Sequence, residues 1–319
     1  MTDILLIKTS SMGDVLHNLP VASDIAKRFP HAQIDWVVEE SFAAMPALHP
    51  AVRNVIPVAM RRWRKSWWAS RHEIRAICKS LGKTDYDHVI DTQGLLKSAI
   101  ITRCLSHSRA GYDWHSAREP LASLFYDHTY SVARDLHAVE RNRILAGFAL
   151  GYEPSSTADY GIRPPGLELD WLDFGKPYIV LLHATSRDDK LWNEKNWVML
   201  GHELALDGFQ LILPWGNAKE HQRSQRLAAS IPNATCPPTL NLTEAAALLG
   251  KARAAIGVDT GLSHLAAAFN IPTIGIYTAT EPGLTGLYAG QTAVNLGGIH
   301  KPPSVDIVLA TCHRLLGDA

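Results

Sequence analysis

The stretch ILLIKTSSMGDVLHNLPVASDIAKRF, residues 4–29, decides the fold. A short apolar run ends in the loop KTSSMGD, and an amphipathic stretch of helical periodicity follows. This pattern is typical of the first strand, loop and helix of a parallel α/β sheet. The loop lies where many nucleotide-binding proteins carry a glycine-rich phosphate loop. Its one glycine, Gly13, precedes the carboxylate of Asp14, which would repel a phosphate.

The alternation of strand-like and helical patterns continues in both halves of the chain. The later strand-like runs are QIDWVVEE (33–40), NVIPVAM (54–60), HVIDTQG (88–94), PYIVLLHAT (177–185), FQLILPWG (209–216), AAIGVDTG (254–261) and TIGIYTAT (273–280). A helix before Gly151 is predicted to end there, because glycine is the usual left-handed C-terminal cap. The segment YEPSSTADYGIRPPG after it has the composition of a linker.

Two α/β domains are therefore predicted, in residues 1–160 and 161–319, each with a Rossmann-like parallel sheet. We expect the sheets to face each other across a cleft, with the last helix able to pack back on the first domain. Ligands of such sheets bind beyond the carboxyl ends of the strands, where the informative loops fall.

The composition excludes several classes of protein. The chain is 46% hydrophobic and has no net charge, but residues 1–150 hold 19 Lys and Arg against 15 Asp and Glu, while residues 151–319 hold 12 against 16. The basic half suits an anionic partner, and its excess is too small for a nucleic-acid binder. No apolar run is long enough to span a bilayer, and MTDILLIKTSS lacks the features of a signal peptide. We therefore expect a cytoplasmic protein.

The cysteines and the missing motifs argue against a metal centre. Cys78, Cys104, Cys236 and Cys312 are scattered without a CxxC pair, so they are expected to be buried free thiols. The chain has no HExxH, DxD, GxSxG or GxxxxGK[ST] motif, and GxGxxG does not follow the first strand.

Two loops of the second half suit a phosphate. LHATSRDDKLW offers the hydroxyls of Thr185 and Ser186 and the ammonium of Lys190, although a solvated loop fits equally well. In VDTGLSHLAAAF, Thr260-Gly261 opens a helix whose free N–H groups and dipole favour an anion. Simple capping by Thr260 and a structural His264 are the alternatives there.

Three further stretches have a structural and a functional interpretation. Glu220 in LPWGNAKEHQR either accepts bonds from sugar hydroxyls or stabilises the first turn of its helix. MRRWRKSWW (60–68) is either a solvated helix face or, as its tryptophans favour, a contact for anionic lipid headgroups or acidic sugars. DTQGLLKS (91–98) supplies Asp91, Gln93 and Lys97 either to a helix cap or to an acceptor pocket.

These stretches, with AREPLASLFY and HAVERNR, resemble the ADP-heptose glycosyltransferases of lipopolysaccharide synthesis over residues 4–285. The resemblance implies the GT-B fold and an inverting transfer of L-glycero-D-manno-heptose from ADP-heptose, without a metal or other cofactor. RRWRK and AREPLASLFY point to the branch that adds the first heptose to the Kdo of Kdo2-lipid A. The resemblance also implies a monomer that works at the cytoplasmic face of the inner membrane. Addition of a second or third heptose, a nucleotide-sugar epimerase and a non-enzymatic binding protein are the alternatives.

The resemblance assigns site residues by matching position. Asp14 is implied to be the catalytic base. The donor-binding set is Thr185, Ser186, Lys190, Glu220, Leu240, Asp259, Thr260, Gly261 and His264. The acceptor-binding set is Ser11, Gly13, Arg61, Arg62, Arg64, Lys65, Gln93, Arg118 and Arg141, where Gly13 is expected to permit a tight turn.

Three positions depart from the pattern of the family. Ser186 replaces a threonine and keeps the hydroxyl, while Leu240 replaces a methionine and keeps an apolar wall. Leu191 replaces a histidine and removes a polar contact.

Overall fold

The computed structural model describes residues 2–105 and 108–317. The chain divides into two compact units, Met1–Ile162 and Arg163–Ala319. The division lies two residues beyond the position expected from the linker composition. Each unit is an α/β structure with its own parallel sheet.

The sheet of the first unit has six parallel strands in the order β3-β2-β1-β4-β5-β6. The strands are β1 (Asp3–Ile7), β2 (Gln33–Glu39), β3 (Val52–Val58), β4 (His88–Asp91), β5 (Arg109–Tyr112) and β6 (His128–Tyr130). Ile4 to Ile7 of β1 are fully buried, as a central strand covered by helices on both faces requires. The expectation for the first four strands is met, while β5 and β6 are too short to give a clear alternating pattern.

The helices of the first unit follow the strands in a regular βα order. They are α1 (Met12–Leu16), α2 (Leu19–Arg28), α3 (Ala44–Ala47), α4 (Met60–Lys65), α5 (Trp67–Leu81), α6 (Leu96–Thr102) and α7 (Ala138–Leu150), with short 3-10 helices at Glu40–Phe42 and Pro120–Phe125. Helix α7 ends at Gly151, whose φ of 70° is left-handed, as the sequence predicts.

The second unit repeats the architecture, with six parallel strands in the order β12-β11-β10-β7-β8-β9. The strands are β7 (Tyr178–Leu182), β8 (Gln210–Ile212), β9 (Ala234–Thr235), β10 (Ala254–Val258), β11 (Thr273–Tyr277) and β12 (Ala293–Gly297). The helices are α8 (Glu194–Leu206), α9 (Ala218–Ser230), α10 (Leu242–Gly250), α11 (Gly261–Ala268) and α12 (Val305–Gly317), with 3-10 helices at Asp188–Lys190 and Gly290–Thr292.

Both sheets have the strand order of a doubly wound fold, with a topological switch point beside the first strand. In the first sheet the switch lies between β1 and β4, and in the second between β7 and β10. Crevices at the carboxyl ends of such strand pairs are the usual ligand sites. The loops after β1, β4, β7 and β10 are therefore the places to look for chemistry.

Helix α12 contributes to the core of the second unit. Val305, Val308, Cys312 and Leu315 are buried in one cluster with Ile274 and Ile276 of β11. The buried side of this last helix thus belongs to the core of the second unit.

The cysteines correct one expectation. Cys78 of α5 and Cys104 just after α6 form a disulfide, with their Cα atoms 4.9 Å apart. Cys312 is a buried free thiol as expected, whereas Cys236 is a free thiol that is only half-buried. The pairing was missed because spacing alone does not specify which helices bring two cysteines together.

Within residues 2–105 and 108–317, no helix is both long enough and apolar enough to cross a bilayer.

Candidate active site

The loop after β1 places Asp14 in the first turn of α1. Its Oδ2 accepts hydrogen bonds from the backbone N–H of Ser11 at 2.7 Å and from the Ser11 hydroxyl at 3.0 Å. Oδ1 has no hydrogen-bond partner among the residues that the structure describes. One carboxylate oxygen thus anchors the loop, and the other is free to accept a proton. Gly13 lies inside α1 with ordinary helical backbone, so the expected tight turn at this glycine is wrong.

Gln93 supports this loop from the neighbouring strand. Its Oε1 accepts from the backbone N–H groups of Thr9 at 2.9 Å and Ser10 at 3.1 Å, and its side chain is buried. The sequence assigns Gln93 to the acceptor, but its carbonyl oxygen is already used to position the loop that carries Asp14. Its amide nitrogen makes no hydrogen bond to any residue in the described ranges.

Lys8 is a buried cation of the site that was not predicted from the sequence. Its Nζ donates to the carbonyl of Thr92 at 2.7 Å and to Oδ1 of Asn142 at 3.1 Å. Burial lowers the pKa of Lys8 to about 8, against the opposing influence of the Asp14 and Asp91 carboxylates. The signal was present in the sequence, because a lysine that closes an apolar central strand is unusual unless it is paired or functional.

Lys97 brings a second ammonium to the same loop. Its Nζ donates to the Ser10 hydroxyl at 2.6 Å. Burial lowers its pKa, which the carboxylates of Glu39 and Asp14 partly restore, while Arg61 lowers it further. The loops after β1 and β4 and the start of α4 therefore bring two lysines and Arg61 close to the carboxylates of Asp14 and Glu39.

The basic run forms α4, and its cations are not equivalent. The guanidinium of Arg61 lies over the ring of Phe42 at 5.2 Å. Arg62 is held by two carboxylates, Glu40 at 3.1 Å and Glu73 at 2.9 Å, and its role in acceptor binding stays a prediction. Glu39 is buried and accepts from the first two backbone N–H groups of the helix at 3.1 and 3.2 Å.

A pocket of about 420 Å³ opens beside this helix. It is lined by Glu39, Glu40, Ser41, Arg61, Arg62, Lys65 and Ser66. Of the remaining predicted cations, Arg64 and Lys65 are exposed and make no ion pair with a described residue.

Arg118 and Arg141 lie close to the ammonium of Lys8. Both arginines lower the pKa of Lys8 through their charge, which places them in its electrostatic neighbourhood. Arg141 donates to the carbonyl of Ser116 at 2.6 Å and lies over the ring of Tyr112 at 4.9 Å, whereas Arg118 is exposed. The first unit thus concentrates cations around Asp14, an arrangement suited to an anionic ligand.

The polar loops of the second unit meet at Asp259, which directly follows β10. Its Oδ2 accepts from Lys190 Nζ at 2.6 Å and from the Thr280 hydroxyl at 2.9 Å. Its backbone carbonyl accepts from the Thr185 hydroxyl at 3.0 Å, and His264 Nε2 lies 3.8 Å from Oδ1. Burial alone raises the pKa of Asp259, but the bonds from His264 and Lys190 outweigh it and hold this pKa well below its usual range.

The start of α11 leaves its donors available. Thr260 is the N-cap residue of this helix, yet its side chain makes no capping hydrogen bond, so the simple capping interpretation is wrong. The first N–H groups of a helix lack partners within the helix and favour an anion. Lys190, joined to Asp259 from the neighbouring loop, places a positive charge in the same group of residues.

The remaining donor-side predictions differ in outcome. Both carboxylate oxygens of Glu220 are engaged, by the Gly216 N–H at 2.8 Å and the Asn217 amide at 2.7 Å, which is the first-turn role considered above. Ser186 is exposed, and Leu240 is half-buried just before α10. Thr280 was not assigned from the sequence, because a threonine after a strand has no signature of its own.

No cluster of three or more His, Cys, Asp or Glu residues that is able to hold a metal ion occurs in residues 2–105 and 108–317.

Known proteins share this architecture. The model of glycosyltransferase family 9 (heptosyltransferase) matches residues 74–310. Lipopolysaccharide heptosyltransferase 1 of Pseudomonas aeruginosa is 50% identical over 298 residues, which cover 92% of this chain and 83% of that protein.

Two solved structures are also similar. The E. coli heptosyltransferase WaaC with ADP superposes with a TM-score of 0.91 at 41% identity, covering 98% of this chain and 100% of that one. The same enzyme with ADP-2-deoxy-2-fluoro heptose gives a TM-score of 0.86 at 40% identity, covering 99% of each chain. The predicted fold class, two Rossmann-like α/β domains of the GT-B type, is confirmed. The chain belongs to glycosyltransferase family 9 and is a heptosyltransferase of lipopolysaccharide core synthesis.

Proposed function

We propose that the chain transfers L-glycero-D-manno-heptose from ADP-heptose to the Kdo of Kdo2-lipid A, as the first heptose of the core. The main support is the 50% identity with a lipopolysaccharide heptosyltransferase 1. The cations gathered around Asp14 agree with this acceptor, because Kdo carries a carboxylate and lipid A carries phosphates.

The second unit is proposed to bind the donor. In this proposal the diphosphate lies at the start of α11, near Thr260 and Gly261, and Lys190 exchanges its bond with Asp259 for one with a phosphate oxygen. The 2.6 Å distance between Lys190 and Asp259 supports an ammonium held ready at that place. Thr185, Ser186, Glu220, Leu240 and His264 complete the proposed donor set.

The first unit is proposed to bind the acceptor and to supply the base. A hydroxyl is a weak nucleophile, so a carboxylate within hydrogen-bond reach must take its proton as it attacks the anomeric carbon. Asp14 suits this role, because its Oδ1 is unpartnered among the described residues while its Oδ2 keeps the loop in place. The O–C1 bond forms as the bond from C1 to the diphosphate breaks, and the configuration at C1 inverts.

The leaving diphosphate gains negative charge in this reaction. Lys190 and the N-terminus of α11 are proposed to stabilise that charge without a metal ion or other cofactor. The carboxylate of Asp259 is proposed to hold Lys190 in place between turnovers. The enzyme is further proposed to act as a monomer at the cytoplasmic face of the inner membrane.

One assay tests the proposal against its alternatives. ADP release from ADP-heptose is measured with and without Kdo2-lipid A, and the product is analysed by mass spectrometry. We expect release that depends on Kdo2-lipid A and a product heavier by one heptose. A requirement for an acceptor that already carries heptose would indicate heptosyltransferase II or III. Conversion of the donor without an acceptor would indicate an epimerase, and binding without release a non-enzymatic protein.

A further inference from the structure

The side chain of Asn142 in α7 links three other segments of the first unit. Its Oδ1 accepts hydrogen bonds from the Lys8 ammonium at 3.1 Å and from the Tyr112 hydroxyl at 3.2 Å. Its Nδ2 donates to the backbone carbonyl of His17 at 3.3 Å. Lys8 directly follows β1, Tyr112 is the last residue of β5, and His17 directly follows α1. One amide group is thus bonded to the ends of two strands and of one helix.

The neighbours of this amide fix its orientation. An ammonium only donates and a backbone carbonyl only accepts, so Lys8 must face the oxygen of Asn142 and His17 must face its nitrogen. The asparagine is only 2% exposed, so bulk water is unable to replace these bonds. Loss of the oxygen would leave the buried ammonium with the Thr92 carbonyl as its acceptor among the described residues.

The bond to His17 holds the helix that carries the proposed base. Helix α1 has only five residues, Met12–Leu16, and a helix of this length keeps its place only through contacts with the rest of the fold. Asp14 lies less than one helical turn before His17, so a shift at the end of the helix also displaces the carboxylate. Asn142 therefore acts on the position of Asp14 without touching it.

Asn142 also acts on the arginine beside it in α7. The guanidinium of Arg141 lies over the ring of Tyr112 at 4.9 Å and donates to the carbonyl of Ser116 at 2.6 Å. The hydroxyl of the same tyrosine donates to Asn142, which holds the ring under the guanidinium. The same amide thus supports an acceptor-binding arginine and the helix of the base.

We propose that Asn142 is a positioning residue of the transfer reaction, which fixes where Asp14 and Arg141 lie relative to each other. The inference rests on the proposed function, because the roles of the base and of the acceptor-binding arginine come from there. A displacement of about 1 Å at a reacting group costs about 10²-fold in rate, so bonds that only orient such a group have measurable effects on turnover.

Two substitutions separate the bonds of Asn142. Asn142→Leu removes all three with a side chain of similar volume, while Asn142→Asp keeps an oxygen for Lys8 and Tyr112 and loses the donor to His17. We expect the leucine variant to lower kcat by about 10–100-fold and the aspartate variant by about tenfold. The affinity for ADP should stay at the wild-type level, because the proposed donor residues belong to the other unit.

Two tyrosine variants provide the matched comparison. Tyr112→Phe removes the hydroxyl bond to Asn142 and keeps the ring under Arg141, so the KM for Kdo2-lipid A should rise about threefold with kcat within about twofold. Tyr86→Phe removes another buried hydroxyl bond, to Asp35 at 2.8 Å, near the start of β2 and thus at the opposite end of the sheet. It should leave both constants within about twofold. An equal rise of KM in Tyr86→Phe would overturn the proposal.

A double-mutant cycle distinguishes positioning from a general loss of structure. In the Asp14→Asn background, Asn142→Leu should lower kcat by less than about threefold, because the base that it positions is already absent. The full loss in both backgrounds would show that Asn142 acts independently of Asp14 and would overturn the proposal. Thermal melting checks the fold, and if Asn142→Leu does not fold, Asn142→Asp decides the cycle, because Lys8 keeps its acceptor there.

Hydrogen exchange separates this inference from the proposed function. The backbone N–H groups of Val15 and His17, bonded within α1 and its loop, should exchange about tenfold faster in both Asn142 variants and at the wild-type rate in Tyr86→Phe. Unchanged exchange with wild-type kcat in the Asn142 variants would overturn the inference, while an inactive Asp14→Asn would leave the proposed base in place. Normal turnover of Asp14→Asn would instead defeat the proposed base and, with it, the positioning role, even where the exchange of α1 is faster.

Discussion

Asp14→Asn tests the proposed catalytic base, because it removes the base while it keeps the hydrogen bonds that hold the loop. Asp14 accepts two hydrogen bonds from Ser11 through one oxygen, and an asparagine carbonyl is able to accept the same two. The loss in stability should be no more than about 1 kcal/mol, which lowers the melting temperature by about 2–4 °C. An amide is not a base, however, so kcat should fall by about 10²–10⁴, equivalent to about 3–5.5 kcal/mol in the activation barrier.

The assay combines ADP release under saturating acceptor with titration of ADP into the free enzyme. Turnover should collapse while the affinity for ADP stays at the wild-type level, because the proposed donor residues belong to the other unit. Asp14→Ala is the companion variant, since it removes both the base and the bonds to Ser11 and should also be less stable. Near-normal turnover in the asparagine variant would remove Asp14 from the role of base.

Four further outcomes are expected. Lys190→Ala should weaken ADP-heptose binding and lower kcat, each by about tenfold, as steady-state kinetics would show. Thr280→Val removes the hydroxyl bond to Asp259 and should weaken ADP binding about fivefold by calorimetry, with recovery in Thr280→Ser. The pKa of Lys8 is lowered to about 8, so the unfolded state binds more protons above that pH. The urea-derived free energy of unfolding should therefore gain on the order of 1–3 kcal/mol towards pH 10.5 from this group, a gain absent in Lys8→Met. ADP release should persist in EDTA, and strict dependence on Mg²⁺ would contradict the metal-independent proposal.

The sequence predicts the repeated βα units well because each has a strong local signal. The buried run Ile4 to Ile7 and the glycine cap at Gly151 are examples, since each depends on neighbours in sequence. The short strands β5 and β6 lack such a signal, because three or four residues do not establish a period. The disulfide between Cys78 and Cys104 depends on the packing of two helices, which no local pattern encodes.

In the candidate site too, local motifs were predictable from the sequence, whereas contacts between distant segments were not. Motif resemblance identifies Asp14 and Asp259 as important but does not reveal what holds them. The two backbone bonds to Gln93 and the hydroxyl bond from Thr280 arise from strands adjacent in space and distant in sequence. The ion pairs of Arg62 with Glu40 and Glu73 were not predicted either, because a run of cations does not indicate which of them meets a carboxylate after folding.

The buried Glu39 under α4 has a consequence for any attempt to copy the arginine run. Six residues are too few to remain helical in water by themselves. The helix therefore depends on the carboxylate of Glu39 in β2, which accepts hydrogen bonds from its first two backbone N–H groups. A synthetic peptide with this sequence would keep the cations and lose their spacing. Conversely, a small molecule that binds the Glu39 carboxylate would unfold α4 and change the spacing of its arginines without contacting them.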